Sequence, residues 1–336
     1  MSKIDLGTNE FSAEEVKALY FDKDALIEPK EKLYRLDSKS GDRYYYKFGD
    51  GGKPNFYMSV TTFISKALPS NFFLIKWIAE MGVQRAEEYK LERAAYGTFL
   101  HGATEELTIN RAYDLDKLDV RLKEYIDSKE LSPSFLGSWY VEMQKDILAY
   151  AQFIIDHDVK PIAIEIMLAS EKMGVAGALD LVCEMDWEEK GFWGEVYKSG
   201  ARKDEPKETK KKIRIKAIVD TKSGKKGFYE SHELQLHTYK MMFEENYPEH
   251  KIDKVFNWSG SHWRSRPDYK LKDQTGSKTA VKIPYYVDLA KIEADAKDEK
   301  GLLIVEGKIE LDKGIEKNVR VITKEELVMS KQSKTK

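Results

Sequence analysis

Cysteine is almost absent from this chain: Cys183 is the only one in 336 residues. No intrachain disulfide, four-cysteine zinc site or iron–sulfur cluster can therefore form. Long apolar runs are also missing, and nothing approaches the roughly 18 consecutive apolar residues that span a bilayer. The opening MSKIDLGTNEFSAEE is acidic and polar, without the basic-then-apolar pattern of a secretory signal. The expected compartment is a reducing cytoplasm, with no membrane partner. Net charge is small as well, at −2. That excludes a chain that coats polyanions by bulk charge, but leaves room for a local positive groove.

What is present is a globular composition, 41% hydrophobic and 34% charged, enough for a core under a highly charged surface. No internal repeat is visible. Residues 32–37 (KLYRLD) and 43–48 (RYYYKF) flank a Ser-Lys-Ser-Gly-Asp turn signal and predict a hairpin. Ser59 and Thr61 are placed to cap a following helix. From 61 to 157 the pattern is mainly helical, with breaks near 69–71, 110–115 and 131–137. The character then changes. Residues 161–170 (PIAIEIMLAS) predict a strand with Ile162, Ile164, Ile166 and Leu168 on one face, joined by a turn at 171–174 to a second over 175–185. A third strand is predicted over 213–221 (IRIKAIVDT), a helix over 232–246, and further strands over 255–259 and 283–287. Charged residues 186–212 are expected to interrupt the sheet as a long hairpin or mobile loop. The organisation read from this is an N-terminal extension with the hairpin (1–58), a helical region (59–157), a sheet-and-helix core with the charged insert (158–290), and a C-terminal extension with a disordered tail (291–336).

Asp220 and Lys222 lie two apart at the end of an apolar strand, so both point to one side. Asp180 sits in another apolar strand. Carboxylates in such places are costly unless paired or bound to a cation, and hard divalent cations favour oxygen ligands. A lysine beside the metal can orient a water and offset charge on a scissile phosphate. Taken alone, Asp-Thr-Lys is as readily a solvated charge pair at a strand end.

The ordered company of these residues is more telling. Gly97-Thr98-Phe99-Leu100-His101-Gly102-Ala103-Thr104-Glu105 gives G-T-x-x-H-x-x-x-E on a helix. Glu165 follows in a strand, then Gly177-Ala178-Leu179-Asp180, then Asp220-Thr221-Lys222, then Gln235 and Tyr239 on a helix. This order resembles the RecB-like branch of the PD-(D/E)xK nuclease superfamily over about residues 57 to 260. The stretch Ser59-Val60-Thr61-Thr62 is similar to that of the branch's mitochondrial genome-maintenance exonucleases and their phage and bacterial relatives. The resemblance implies an α/β, restriction-endonuclease-like fold: a mixed central sheet flanked by helices, with a helical N-terminal region packed over it. It implies Mg²⁺ or Mn²⁺ held by His101, Asp180 and Asp220, with the Thr221 carbonyl joining, and Lys222 handling the attacking water. Gln235 and Tyr239, at i and i+4 on one helical face, would line the site, and Glu165 would be an auxiliary carboxylate. Two departures stand out: forty positions separate Asp180 from Asp220, and the iron–sulfur cysteines found in part of the family are absent.

The activity implied is a metal-dependent DNA exonuclease of recombination, repair or replication, plausibly phage-encoded and acting in the host cytoplasm. Its substrates would be single strands or duplex ends, and its partners recombination or replication proteins. A structure-specific or non-specific endonuclease is one rival; a DNA-end-binding module with little catalysis is another. Other residues have plainer readings. His237 is structural, Cys183 is a small core residue, and Glu105 holds a ligand or is a surface charge. Glu165 is as readily solvated or salt-bridged as it is active. Trp258, Trp263 and Tyr269 among Arg264, Arg266, Lys270 and Lys272 could stack bases, but the tryptophans more simply fill the core. Lys210, Lys211 and Lys212 contact phosphates or form a solvated face.

Overall fold

The computed structural model describes residues 25–37, 42–49, 54–69, 72–224 and 227–298. The turn of the first hairpin (38–41), most of the C-terminal extension and the tail lie outside them. The described residues form eight strands and seven helices in a mixed α/β arrangement. None of these helices is long and apolar enough to cross a membrane. The chain divides into two compact units, one from Met1–Lys30, Ser70–Leu168 and Ala178–Ala280, the other from Glu31–Pro69, Ala169–Gly177 and Val281–Lys336.

In the second unit, β1 (Tyr34–Asp37), β2 (Arg43–Phe48) and β3 (Pro54–Ser59) form an antiparallel meander. This is the predicted hairpin with one further strand. Leu33, Tyr45, Tyr57 and Ala176 make its small core. Helix α1 (Val60–Ala67) follows β3 directly, and the Ser59 hydroxyl accepts from the Thr62 N–H at 3.0 Å, as an N-cap should. Thr61 lies inside the first turn and does not cap it.

The first unit carries helices α2 (Phe72–Met81), α3 (Val83–Asn110), α4 (Leu118–Ser128) and α5 (Phe135–Asp156). Its strands are β4 (Lys160–Ser170) as far as Leu168, β5 (Val175–Val196) from Ala178, β6 (Pro206–Thr221), β7 (Lys254–Gly260) and β8 (Tyr269–Asp273), with α6 (Glu230–Asn246) between β6 and β7. β4 pairs β5, β5 runs antiparallel to β6, β6 parallel to β7 and β7 antiparallel to β8. The parallel β6–β7 pair needs a crossover, and α6 supplies it. Leu181, Cys183, Met185, Ala217, Val219, Phe256 and Trp258 alternate along three strands and pack against Leu100, Trp139, Met143 and Phe153 of the helices. Helix α6 packs on β6 and β7. Covered on both faces, these strands read as nearly unbroken apolar runs.

Three expectations need correction. Residues 186–212 are the long hairpin of the two expected forms, but they do not interrupt the sheet: β5 and β6 continue through them as a paired ladder, from Asp186↔Arg214 to Phe192↔Glu208, with an irregularity before Val196↔Pro206. The cross-strand ladder simply outlasts the apolar pattern. Residues 283–287 are not a strand but part of helix α7 (Thr279–Asp298), in which Ile283, Val287 and Ala290 recur at helical spacing and are buried. Finally, the inward face of β4 changes phase. Ile166 and Leu168 are buried as expected, but Ile162 and Ile164 are only half-buried and Ala163 is buried instead. Between Ala163 and Ile166, Glu165 has φ 46°, a left-handed conformation rare for a non-glycine residue in a strand.

Trp258 and Cys183 are core residues, as the plainer reading expects. Trp263 is half-buried, with its indole N–H donating to the Lys145 carbonyl. Helix α5 approaches β7 closely because Gly260 has no side chain: a Cβ there would lie 2.2 Å from Asp146 Oδ1. Gly260→Ala is expected to cost about 1–3 kcal/mol through this overlap. Gly137 lies in an exposed turn of α5, where an added Cβ would meet nothing within 4 Å. Gly137→Ala is expected to gain up to about 1 kcal/mol. Urea denaturation of the two variants checks the opposite signs.

Candidate metal centre

Three chain segments meet at the centre. Helix α3 buries Leu100, Ala103, Thr104 and Leu107 and leaves His101 on its flank. Strand β5 contributes Asp180, one residue before the Leu181↔Val219 pair that brings β5 alongside β6. Strand β4 contributes Glu165 at its left-handed residue. His101 Nδ1 lies 3.5 Å from Glu165 Oε1 and 3.5 Å from Asp180 Oδ2. One ligand atom from each of His101, Glu165 and Asp180 falls within 4.8 Å of the others. Strained backbone of the kind at Glu165 costs about 1–3 kcal/mol and persists where the surroundings enforce it. Here it accompanies the shift in phase that sets Glu165 beside His101.

The second half of the centre lies on the α6 side of the sheet. Asp220, the last residue but one of β6, is almost fully buried. Lys222, two residues on, reaches back to it, with Nζ 3.0 Å from Oδ1 and 2.8 Å from Oδ2. The Lys222 ammonium also donates to Gln235 Oε1 at 2.9 Å, and Gln235 Nε2 donates to the Tyr239 hydroxyl at 2.9 Å. Gln235 and Tyr239, one helical turn apart on α6, thus act together as a brace for Lys222. The Thr221 N–H donates to Asp180 Oδ2 at 2.7 Å, which ties β6 to β5 at the site. Thr221 enters the centre through this amide.

The expected residues meet in two groups, tied together by the Thr221 N–H on Asp180. Glu165, expected as an auxiliary carboxylate, stands with His101 and Asp180. Asp220, expected as a ligand, has its oxygens engaged by Lys222 and by Asn257, whose Nδ2 donates to Oδ2 at 2.8 Å. Asn257 is the register partner of Asp220 on β7 and is fully buried. Gln274 Nε2 donates to Asn257 Oδ1 at 3.1 Å, and its own carbonyl is 3.0 Å from His237 Nε2. His237 is structural, as expected. Asn257 and Gln274 are members of the site that no motif marks, although a polar Asn inside the apolar run VFNW is a signal that a buried partner waits for it.

The motif glycine of α3 also acquires a reason. A Cβ on Gly97 would meet Ser223 Oγ at 3.2 Å. Arg93, a turn earlier, pairs with Glu142 and donates to the Ser223 carbonyl at 3.2 Å. The helix that carries His101 is thus seated against the residue after Lys222.

Charge at the centre is heavily perturbed. Burial alone would lower the His101 imidazole, but Asp180 and Glu165, with Asp220 beyond, outweigh it and raise its pKa to about 9. Burial raises both Asp180 and Asp220, with repulsion between carboxylates adding to it and the His101 and Lys222 charges opposing it. His232, near Lys222, is lowered to about 4 by burial and then by the lysine charge, so it adds no second cation. A site with one imidazole and two carboxylates, raised proton affinity and surplus negative charge fits a hard divalent cation.

Searches against models of known protein families and against curated proteins find no match for this chain.

A metal bound through the His101 imidazole would displace its proton below about pH 9. Mn²⁺ affinity is therefore expected to rise with pH up to that value and then level. Near neutral pH, calorimetry in buffers of different ionisation heat should detect proton release on binding. His101→Ala should lose this release and bind Mn²⁺ at least about tenfold more weakly.

Proposed function

We propose that this chain is a Mg²⁺- or Mn²⁺-dependent nuclease of the PD-(D/E)xK type, with a restriction-endonuclease-like core, and that it degrades DNA from an end. The observation that carries this reading is the convergence of His101, Glu165 and Asp180 beside the Asp220–Lys222 pair, from stretches of sequence far apart in the chain. It agrees with the RecB-like order of motifs. A metal held by His101, Glu165 and Asp180 would supply Lewis acidity at the scissile phosphate and favour ionisation of a water.

The chain's own residues do the rest. Asp220 and Gln235 fix the Lys222 ammonium, so its charge need not be reorganised when negative charge grows on the phosphate. Asn257 holds Asp220 from behind and keeps the carboxylate turned toward Lys222. Thr221 aligns Asp180, and Tyr239 aligns Gln235. Two carboxylates and an imidazole with no lysine would capture metal; the braced lysine is what suits the site to phosphoryl chemistry.

End-dependence is suggested by α3, which packs on the same core as β5 and β6 and brings His101 to Asp180. A covered site admits a flexible single strand more readily than a duplex about twenty ångströms wide. The cytoplasm, where the free thiol of Cys183 stays reduced, is the fitting compartment. Recombination, repair or replication is the setting that the motif resemblance suggests.

End-labelled linear and circular DNA, incubated with and without Mn²⁺, test the reading. Linear single strands should be shortened only with metal, while circles persist; circles cut at the same rate would overturn end-dependence. Lys222→Ala and Asp220→Asn are each expected to reduce kcat by at least about a hundredfold with the fold intact. A change confined to KM for Lys222→Ala would make the lysine a docking residue.

A further inference from the structure

The β5–β6 hairpin extends well beyond the packed part of the sheet. Trp187 and Ile213 are its last residues packed against the main core. From Trp187 to the end of β5 at Val196 the strand runs about 30 Å. Over 194–208 only Tyr197 is partly covered and the other residues are exposed. A two-stranded ribbon without a third strand or a helix to cover it is marginally stable at best in water. The composition of this arm is unlike the rest of the chain. Residues 188–212, bounded by the Glu188↔Lys212 pair, contain eight Lys or Arg (Lys190, Lys198, Arg202, Lys203, Lys207, Lys210, Lys211, Lys212) against six acids, Glu188, Glu189, Glu195, Asp204, Glu205 and Glu208. That is a net +2 in a chain of −2.

The pairing concentrates this charge. Lys190 and Lys210 are direct cross-strand partners, and like charges placed so destabilise a ribbon. Lys210, Lys212 and Arg202 have acidic partners in Glu188, Asp186 and Glu205, while Lys190, Lys198, Lys203 and Lys207 make no ion pair among the described residues. Two large aromatics stand among the cations: Phe192 is 70% and Trp193 41% exposed, with the Lys211 ammonium 5.2 Å from the Trp193 ring centroid.

We propose that this arm is a second nucleic-acid contact, a basic β-ribbon that lies in the major groove of duplex DNA. Strand spacing of about 4.8 Å gives a ribbon that a B-form major groove about 12 Å wide accepts. The deep, narrow major groove of A-form RNA does not. The exposed lysines meet phosphates on either side, and the charge of the polyanion relieves the Lys190–Lys210 repulsion. About 23 Å of strand separates Asp180 from Trp187, so a substrate of only one or two nucleotides at the metal centre cannot reach the arm. The location relative to catalysis rests on the nuclease reading proposed above; the binding itself does not.

The test separates the two. Fluorescence anisotropy with a DNA duplex of about 30 base pairs, without divalent metal, measures binding without turnover, and the arm's share is the difference between the unaltered protein and its variants. Two variants are compared: replacement of residues 190–210 by Asn-Gly, which closes the Glu189↔Lys211 pair with a two-residue turn, and the quadruple variant Lys190→Gln, Lys203→Gln, Lys207→Gln, Lys210→Gln. Thermal melting verifies that each is folded. Both should bind the duplex at least about tenfold more weakly, and the salt dependence of the quadruple variant should flatten by about three to four in log–log slope. Duplex RNA should show no such arm-dependent loss. Hydrolysis of a small chromogenic nucleotide phosphodiester should be unchanged in both variants, and its absence in the unaltered protein would sink the nuclease reading while leaving the arm in place. Unchanged duplex affinity and salt slope in the folded variants would overturn the arm, as would an equal arm-dependent loss on duplex RNA.

Discussion

Asp220, buried at the end of β6, is the constraint around which the centre is built. An ionised carboxylate removed from water costs several kcal/mol unless opposite charge and hydrogen bonds replace its hydration. Lys222 supplies the charge and Asn257 the hydrogen bond. Each of these is held in turn, Lys222 by Gln235 and Asn257 by Gln274. The chain of dependence runs from the carboxylate into α6 and on to the residues after β8. Removing any member leaves a polar group stranded in a site where stranding is expensive.

Asp180 solves the same problem differently. It has one backbone donor, from Thr221, and an imidazole whose protonation it promotes. With Glu165 beside it, negative charge remains in excess. The two halves are therefore unequal: around Asp220 the charge is matched inside the protein, and around Asp180 negative charge remains in excess. That asymmetry underlies the reading of one half as the metal holder and the other as the support of a fixed ammonium.

The helices carry as much of the arrangement as the sheet. His101 reaches Asp180 because α3 is seated by Gly97 and Arg93 against Ser223. The residue after the Asp-Thr-Lys stretch thus positions a helix that begins far earlier in the chain. The long hairpin shows the opposite case, in which a local ladder continues with almost nothing packed on it among the described residues. Its cross-strand hydrogen bonds persist while its apolar pattern stops, and its charge then becomes its main physical property.

Periodicity and turn chemistry make most elements legible. The first hairpin, the Ser59 cap, α6, and β4 to β7 follow from alternation, β-branched runs and capping residues, all of which act within a few positions. The spacing of Asp220 and Lys222, and of Gln235 and Tyr239, likewise fixes which side chains share a face. The segment 283–287 reads as a strand because a short apolar run is compatible with either period, and only the recurrence at Ala290 favours the helix it forms. Other features are closed to such reading. The left-handed Glu165, the partnership of Asn257 with Asp220 and the seating of Gly97 on Ser223 depend on atoms brought together from distant positions, and no local pattern encodes them. The sequence by itself determined which carboxylates, imidazole and lysine were available, and on which faces. Tertiary packing decided which of them became neighbours, because burial and cross-strand register set the distances at which charges attract, repel or bind a proton.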